Sequence, residues 1–206
     1  VKFVGFSDFT SLLLSIYYKT GIVTFHGPSV KKFGSINNKS IKFFKRIIST
    51  TGEISLDLKK RKSSINSTSE EMSGTLVGGN LSLFAALLGT PYFKFLKNKD
   101  YILFFEDTNI SAAQLDFLLR QINFRMGQSV VKNIKAIILG SFKDYYKESI
   151  KFGYESELSV FAQNFKSVPI IKTGLFGHGQ KDFATFPIGA KARLSKKLDT
   201  INFILK

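Results

Sequence analysis

Short apolar runs alternate with amphipathic stretches along most of this chain. The opening Val1-Lys2-Phe3-Val4-Gly5-Phe6 reads as a buried strand. Ser7-Asp8 then reads as a cap on a helix from Phe9 to Lys19, with Phe9, Leu12, Leu13 and Ile16 on one apolar face and Gly21 at its end. Ile22 to Phe25 is the next strand, closed by the turn His26-Gly27-Pro28, and Ser40 to Ile48 is a Lys-rich helix. In the second half, Thr75-Leu76-Val77 runs through Gly78-Gly79 into a helix starting near Asn80. Tyr101 to Phe105, Ile134 to Leu139, Val168 to Ile171, Ala190 to Leu194 and Thr200 to Leu205 read as strands. Ser111 to Met126 and Glu155 to Phe165 read as helices between them, the first with a serine cap.

Between residues 49 and 73 the pattern weakens into Ser, Thr, Lys and Asn, with one short strand expected from Glu53 to Leu58. That change predicts a linker over 49–73, separating a unit at 1–48 from one at 74–206. Alternation of strands and helices on both sides places the chain in the α/β class. No internal repeat interrupts that reading.

Composition narrows the partners. The 44% hydrophobic share is that of a chain with a core, and LSLFAALL at 81–88 is too short for a membrane span. A net charge of +15 invites nucleic acid, but the positive residues are nearly all Lys, with arginine only at 46, 61, 120, 125 and 193. Phosphate and base-edge recognition favours the planar fork of Arg, so a solvated Lys-rich surface is expected rather than a nucleic-acid face. With no cysteine, disulfides, thiolate metal sites and a Cys nucleophile are all excluded.

The chemistry-bearing residues are few. Ser7 stands between a buried strand and a helix, where it either caps the helix or sits exposed as a nucleophile beside N–H groups that stabilise an oxyanion. Only His26 and His178 are available as its base. His178 lies between two glycines after an apolar strand, where it either reaches into a cleft or is an exposed loop histidine, whereas His26 reads as bracing the turn it opens. Glu106-Asp107 ends the apolar strand at 101–105, the position from which a carboxylate orients a histidine; Asp107 suits helix capping better. Gly78-Gly79-Asn80 before a helix is a candidate anion site, and so a candidate substrate-binding segment, without the Lys-Ser/Thr of a phosphate loop. No His, Asp and Glu cluster has metal-ligand spacing, so neither metal nor cofactor is expected.

Several stretches together resemble the LD-carboxypeptidase family of serine peptidases (muramoyltetrapeptide carboxypeptidases), which also includes microcin C self-immunity proteins. They are Gly5-Phe-Ser-Asp-Phe-Thr-Ser-Leu-Leu13, Thr24-Phe-His-Gly-Pro28, the run from Leu76 to Tyr92, Leu103-Phe-Phe-Glu-Asp107, Ile137-Ile-Leu-Gly140, Gly177-His178 and Phe186-Pro-Ile-Gly-Ala190. They occur in family order along essentially the whole chain. The resemblance implies Ser7 as nucleophile, Glu106 and His178 as the other triad members, and the Asp8 N–H as one oxyanion donor. It also implies a remnant of a Rossmann-like N-terminal domain, followed by a swivelling β/β/α-like C-terminal domain, with the site between them.

Family members carry a long segment before the serine, with a glycine-rich stretch that helps form the oxyanion hole. Nothing like it precedes Ser7, so the expectation is a truncated or processed chain, or a partner that supplies it, with a sheet left with an open edge and little or no turnover from this chain alone. The activity implied is hydrolysis of the L,D-peptide bond that releases terminal D-alanine from murein tetrapeptide. A cytoplasmic homodimer is expected, with a periplasmic location as the alternative. The competing readings are a microcin C-type immunity hydrolase, disfavoured by the lack of Trp for a base clamp, and a non-catalytic basic binding module.

Overall fold

Two sheets position everything of functional interest in the computed structural model. It describes residues 1–58, 63–66, 70–145 and 156–205. The small sheet holds β1 (Val4–Gly5), β2 (Thr24–His26) and β9 (Phe186–Ile188) in the order β1-β2-β9. β1 runs parallel to β2, β9 antiparallel to it, and no described strand pairs with the outer edge of β1. The large sheet has eight strands in the order β3-β11-β10-β5-β6-β7-β8-β4. Its centre is parallel: β5 (Met72–Asn80), β6 (Tyr101–Thr108), β7 (Ile134–Lys143) and β8 (Ile170–Gly177). β10 (Lys191–Leu194), β11 (Thr200–Leu205) and β3 (Gly52–Asp57) extend one side antiparallel, and β4 (Ser63–Ile65) closes the other.

The central strands are buried along nearly their whole length because helices and the small sheet cover both faces, which is why they read as unbroken apolar runs. α4 (Ala112–Met126) buries Leu115, Leu119 and Ile122 in the core, packs against α6 (Glu157–Asn164), and starts at a reciprocal cap between Ser111 and Gln114. α6 was expected from Glu155, which lies outside the described residues. α2 (Asn38–Ser49) is capped by the Asn37 side chain, and α5 (Gln128–Val131) is a single turn before β7. Among the described residues no helix is long and apolar enough to cross a membrane.

Three expectations change. The segment at 49–73, expected as a linker, contributes β3 and β4 to the large sheet; residues 59–62 and 67–69 of it lie outside the described residues. The small sheet takes its third strand from 186–188, within the stretch assigned to the second unit. From there the chain turns at Gly189 and enters the large sheet as β10. Leu76 bonds across this corner, accepting from the Gly189 N–H at 2.7 Å and donating to the Ala190 carbonyl at 2.9 Å. Finally, α1 (Phe9–Thr20) buries Thr10, Leu13 and Leu14, while Phe9 and Leu12 are 56% and 50% exposed. A hydroxyl replaces an apolar side chain at the contact because the backbone of Gly79 comes too close for anything larger.

Candidate active site

The turn from β1 into α1 is tight. Ser7 has φ 59°, a left-handed conformation that few non-glycine residues adopt, and it lifts the side chain off the strand axis. Gly5 makes the turn possible: a Cβ there would sit 2.6 Å from Phe9 Cβ. Asp8 is the N-cap of α1 but neither it nor Ser7 makes a side-chain cap; the Ser7 carbonyl instead accepts from Thr10 N–H at 2.9 Å. The expected capping role of Ser7-Asp8 therefore gives way to a backbone turn.

Glu106 sits where the large sheet becomes irregular. The β6–β7 register shifts between Phe105 and Asp107, and the β7–β8 register shifts between Leu139 and Ser141. Bulges at such positions re-aim a side chain. Gly177, φ 104°, permits the next approach: a Cβ there would lie 3.0 Å from Glu106 Cβ and 2.9 Å from Ser141 N. The strand end thus delivers His178 directly onto the carboxylate, with Nδ1 2.7 Å from Glu106 Oε2.

That contact defines the tautomer. An ionised carboxylate only accepts, so Nδ1 carries the proton and donates it, leaving the Nε2 lone pair free to accept another. Glu106 is fully buried while the His178 side chain keeps 22% exposure, so only the histidine reaches solvent. Burial, the largest influence, pushes the Glu106 carboxyl up. The hydrogen bond from His178 and the attraction of both histidines outweigh it and bring the group down to about 2.

The Phe6 ring lies 4.6 Å from the His178 ring and 5.3 Å from that of His26, which brings the β1–α1 turn against the Glu106–His178 pair. Ser7 is the next residue; among the described residues no hydrogen bond links its hydroxyl to His178. His26, expected to brace a turn, is fully buried instead, with Nε2 3.8 Å from Glu106 Oε1. Lys32, not singled out from sequence, stands 5.5 Å over the Phe183 ring. Burial lowers its pKa, Glu106 raises it and Lys143 lowers it further.

Gly78, Gly79 and Asn80, proposed to meet substrate, have packing duties. A Cβ on Gly78 would strike the Phe104 carbonyl, and one on Gly79 would lie 2.6 Å from Thr10 Oγ1. The Asn80 N–H donates to Thr10 Oγ1 at 2.9 Å, and its side chain caps α3 (Leu81–Leu87) while donating to Asp107 Oδ1 at 3.0 Å. Asp107 also accepts from Ser82 N and Oγ at 3.0 and 2.7 Å, the capping role its position suggested. The described residues contain no group of three or more His, Cys, Asp and Glu side chains placed to hold a metal.

Comparison with known proteins points the same way. Residues 73–194 match the family described as LD-carboxypeptidase C-terminal domain. A Rickettsia prowazekii protein named as a carboxypeptidase is 31% identical over 180 residues, covering 85% of this chain and 53% of its own length. A solved muramoyltetrapeptide carboxypeptidase from Oxalobacter formigenes is 28% identical with a TM-score of 0.75, over 98% of this chain and 67% of that one. The solved microcin C7 self-immunity protein MccF, a protein known from Escherichia coli, shares the fold: TM-score 0.82, 22% identity, 98% of this chain and 67% of that one. The chain spans about half the length of the curated relatives it matches. With the family match running over more than half of its residues, the chain belongs to the LD-carboxypeptidase family.

Proposed function

We propose that this chain carries the nucleophile, base and orienting carboxylate of a serine LD-carboxypeptidase that releases terminal D-alanine from murein tetrapeptide. The observation that carries the reading is the 2.7 Å Glu106–His178 bond, packed against the residue that precedes Ser7. His178 Nε2 takes the Ser7 hydroxyl proton as Oγ attacks the scissile carbonyl carbon. The carbonyl oxygen becomes an oxyanion, met by the Asp8 N–H. Collapse breaks the C–N bond, and the proton on His178 passes to the departing D-alanine amine. Water then repeats the sequence on the acyl-serine, restoring Ser7 and freeing the shortened peptide. Glu106 stays ionised throughout and holds the imidazolium as it forms. The same proposal takes the protein to be a cytoplasmic homodimer, to be checked by cell fractionation and light scattering.

Incubation of the full-length protein with L-Ala-γ-D-Glu-meso-diaminopimelate-D-Ala should release D-alanine, while the diastereomer ending in L-alanine should be poorly cleaved. Equal release from both would overturn the assignment. The fold shared with MccF favours a second reading, an immunity-type hydrolase. One MccF structure holds aspartyl sulfamoyl adenosine, and another pairs a tryptophan-to-phenylalanine variant with adenosine monophosphate. This chain contains no tryptophan, which supports the murein reading. Cleavage of aspartyl sulfamoyl adenosine in preference to the tetrapeptide would reverse that order.

A further inference from the structure

The Glu106 carboxylate has two oxygens, and the triad accounts for one. Oε2 accepts from His178; Oε1 has no hydrogen-bond partner among the described residues. Both ring nitrogens of His26 are likewise unpartnered, and that residue is fully buried. Its ring stands among Phe6, Phe104 and Phe176, with centroid distances of 5.3, 5.5 and 6.4 Å. Within this apolar surround the polar group facing Nε2 is Glu106 Oε1, 3.8 Å away.

Leaving a buried polar atom unpaired is costly, because it has given up its water without gaining a partner. Closing the 3.8 Å gap by about 1 Å would satisfy two such atoms at once. β2 is tied to β1 on one side and β9 on the other, so His26 is held in the register that makes this approach. Phe6 touches both imidazoles and maintains their separation across the carboxylate.

We propose that His26 is a positioning residue, whose Nε2–H holds Glu106 Oε1 so that Oε2 stays aimed at His178. The site is then a carboxylate clamped between two histidines, one buried and structural, the other exposed to substrate. This assignment rests on the serine carboxypeptidase reading for its catalytic meaning, though not for its geometry. Holding the second oxygen stops the carboxylate from rotating away while His178 exchanges its proton. It also keeps Glu106 a weak base, so that the proton stays on the imidazole. Depression of the Glu106 pKa by both histidines agrees with this arrangement.

Imidazole nitrogen NMR of the 206-residue chain tests the proposal without any need for turnover. A proton on His26 Nε2 is expected; a bare Nε2, with the proton on Nδ1 alone, would overturn the assignment. Carbon NMR of the Glu106 carboxyl supplies the second measurement. His26→Phe keeps the ring and removes the donor, and should raise the Glu106 titration midpoint by about one pH unit. His26→Gln retains an N–H near the Nε2 position and should restore it. Lys32 and His178 also face Glu106 but are unchanged in all three proteins. A midpoint that does not move in His26→Phe, or Gln behaving as Phe does, would reduce His26 to packing. If neither variant folds, the tautomer in the unaltered chain decides. D-alanine release is assayed separately, in full-length protein: its absence with the Nε2 proton present would sink the carboxypeptidase reading and leave the clamp standing.

Discussion

Glu106 Oε2 accepts a hydrogen bond from His178 Nδ1 at 2.7 Å, across 72 positions of sequence and at the ends of two strands that are not neighbours in the sheet. β7 lies between β6 and β8, so the pair can meet only above its edge. Gly140 and Gly177 clear that space: a Cβ on Gly140 would lie 2.7 Å from Phe176, and one on Gly177 would press on Glu106. The acid–base pair is therefore a consequence of irregular register at both strand ends.

If Ser7, Glu106 and His178 act as one unit, Ser7→Ala and His178→Ala should each lower D-alanine release on the order of 10⁴-fold or more. Glu106→Gln should cost less, because it orients His178 without exchanging the proton. The double variant Ser7→Ala/His178→Ala should lose little beyond either single one, as measured by amino-acid release. Near-normal turnover by His178→Ala would remove it from the base position.

Stability should depend on the same carboxylate. Glu106 falls to about 2 from an ordinary 4.5, so the folded protein binds that proton more weakly than the unfolded chain does. Its contribution is then fully present above pH 4.5 and disappears as pH falls through about 2. The gap corresponds to about 3 kcal/mol at neutral pH. Urea unfolding of the unaltered chain and Glu106→Gln at several pH values should show their difference shrinking below pH 4.5. A constant difference would contradict the assignment.

Gly79→Ala should be costly for two reasons. Its φ of 133° lies outside what alanine adopts readily, and the added methyl would meet buried Thr10 at 2.6 Å. About 2–3 kcal/mol should be lost in denaturant unfolding. Because Thr10 is in the first turn of α1, three residues after Ser7, D-alanine release should also fall in the fraction that remains folded. Loss of stability with unaltered turnover would show that the turn is independent of this contact.

Asp107→Ala tests the neighbouring carboxylate in the opposite sense. Asp107 accepts from Asn80 Nδ2, Ser82 N and Ser82 Oγ, and is 3% exposed. Its removal strands these donors at the start of α3 and should cost about 3 kcal/mol. Glu106 and His178 keep their bond, so turnover per folded molecule should change far less than in Glu106→Gln. An equal loss of turnover in both would assign Asp107 to the chemistry.

The amino-acid order alone marked the central strands of the large sheet, since strands buried on both faces need continuous apolar runs and Tyr101 to Phe105 and Ile134 to Leu139 supply them. It determined local ends as well: Gly21, φ 73°, closes α1, and Ser111 with Gln114 opens α4, because caps need only neighbours a few residues away. It put Ser7, Glu106 and His178 on a short list, since only two histidines exist and each of the three stands at an element's end, and the family resemblance then chose among the candidates. Tertiary structure decided what depends on partners far along the chain. Periodicity on α1 marked Phe9 and Leu12 as inward, but the close approach of Gly79 turned Thr10 inward instead. The 49–73 segment looked like a linker because a strand at a sheet edge can be polar on its exposed face. His26 looked like a turn residue because nothing local signals a carboxylate 80 positions away. Its place beside Glu106 comes from β2 pairing with β9 and from the crossing of 186–194 between sheets, contacts that no window of sequence contains.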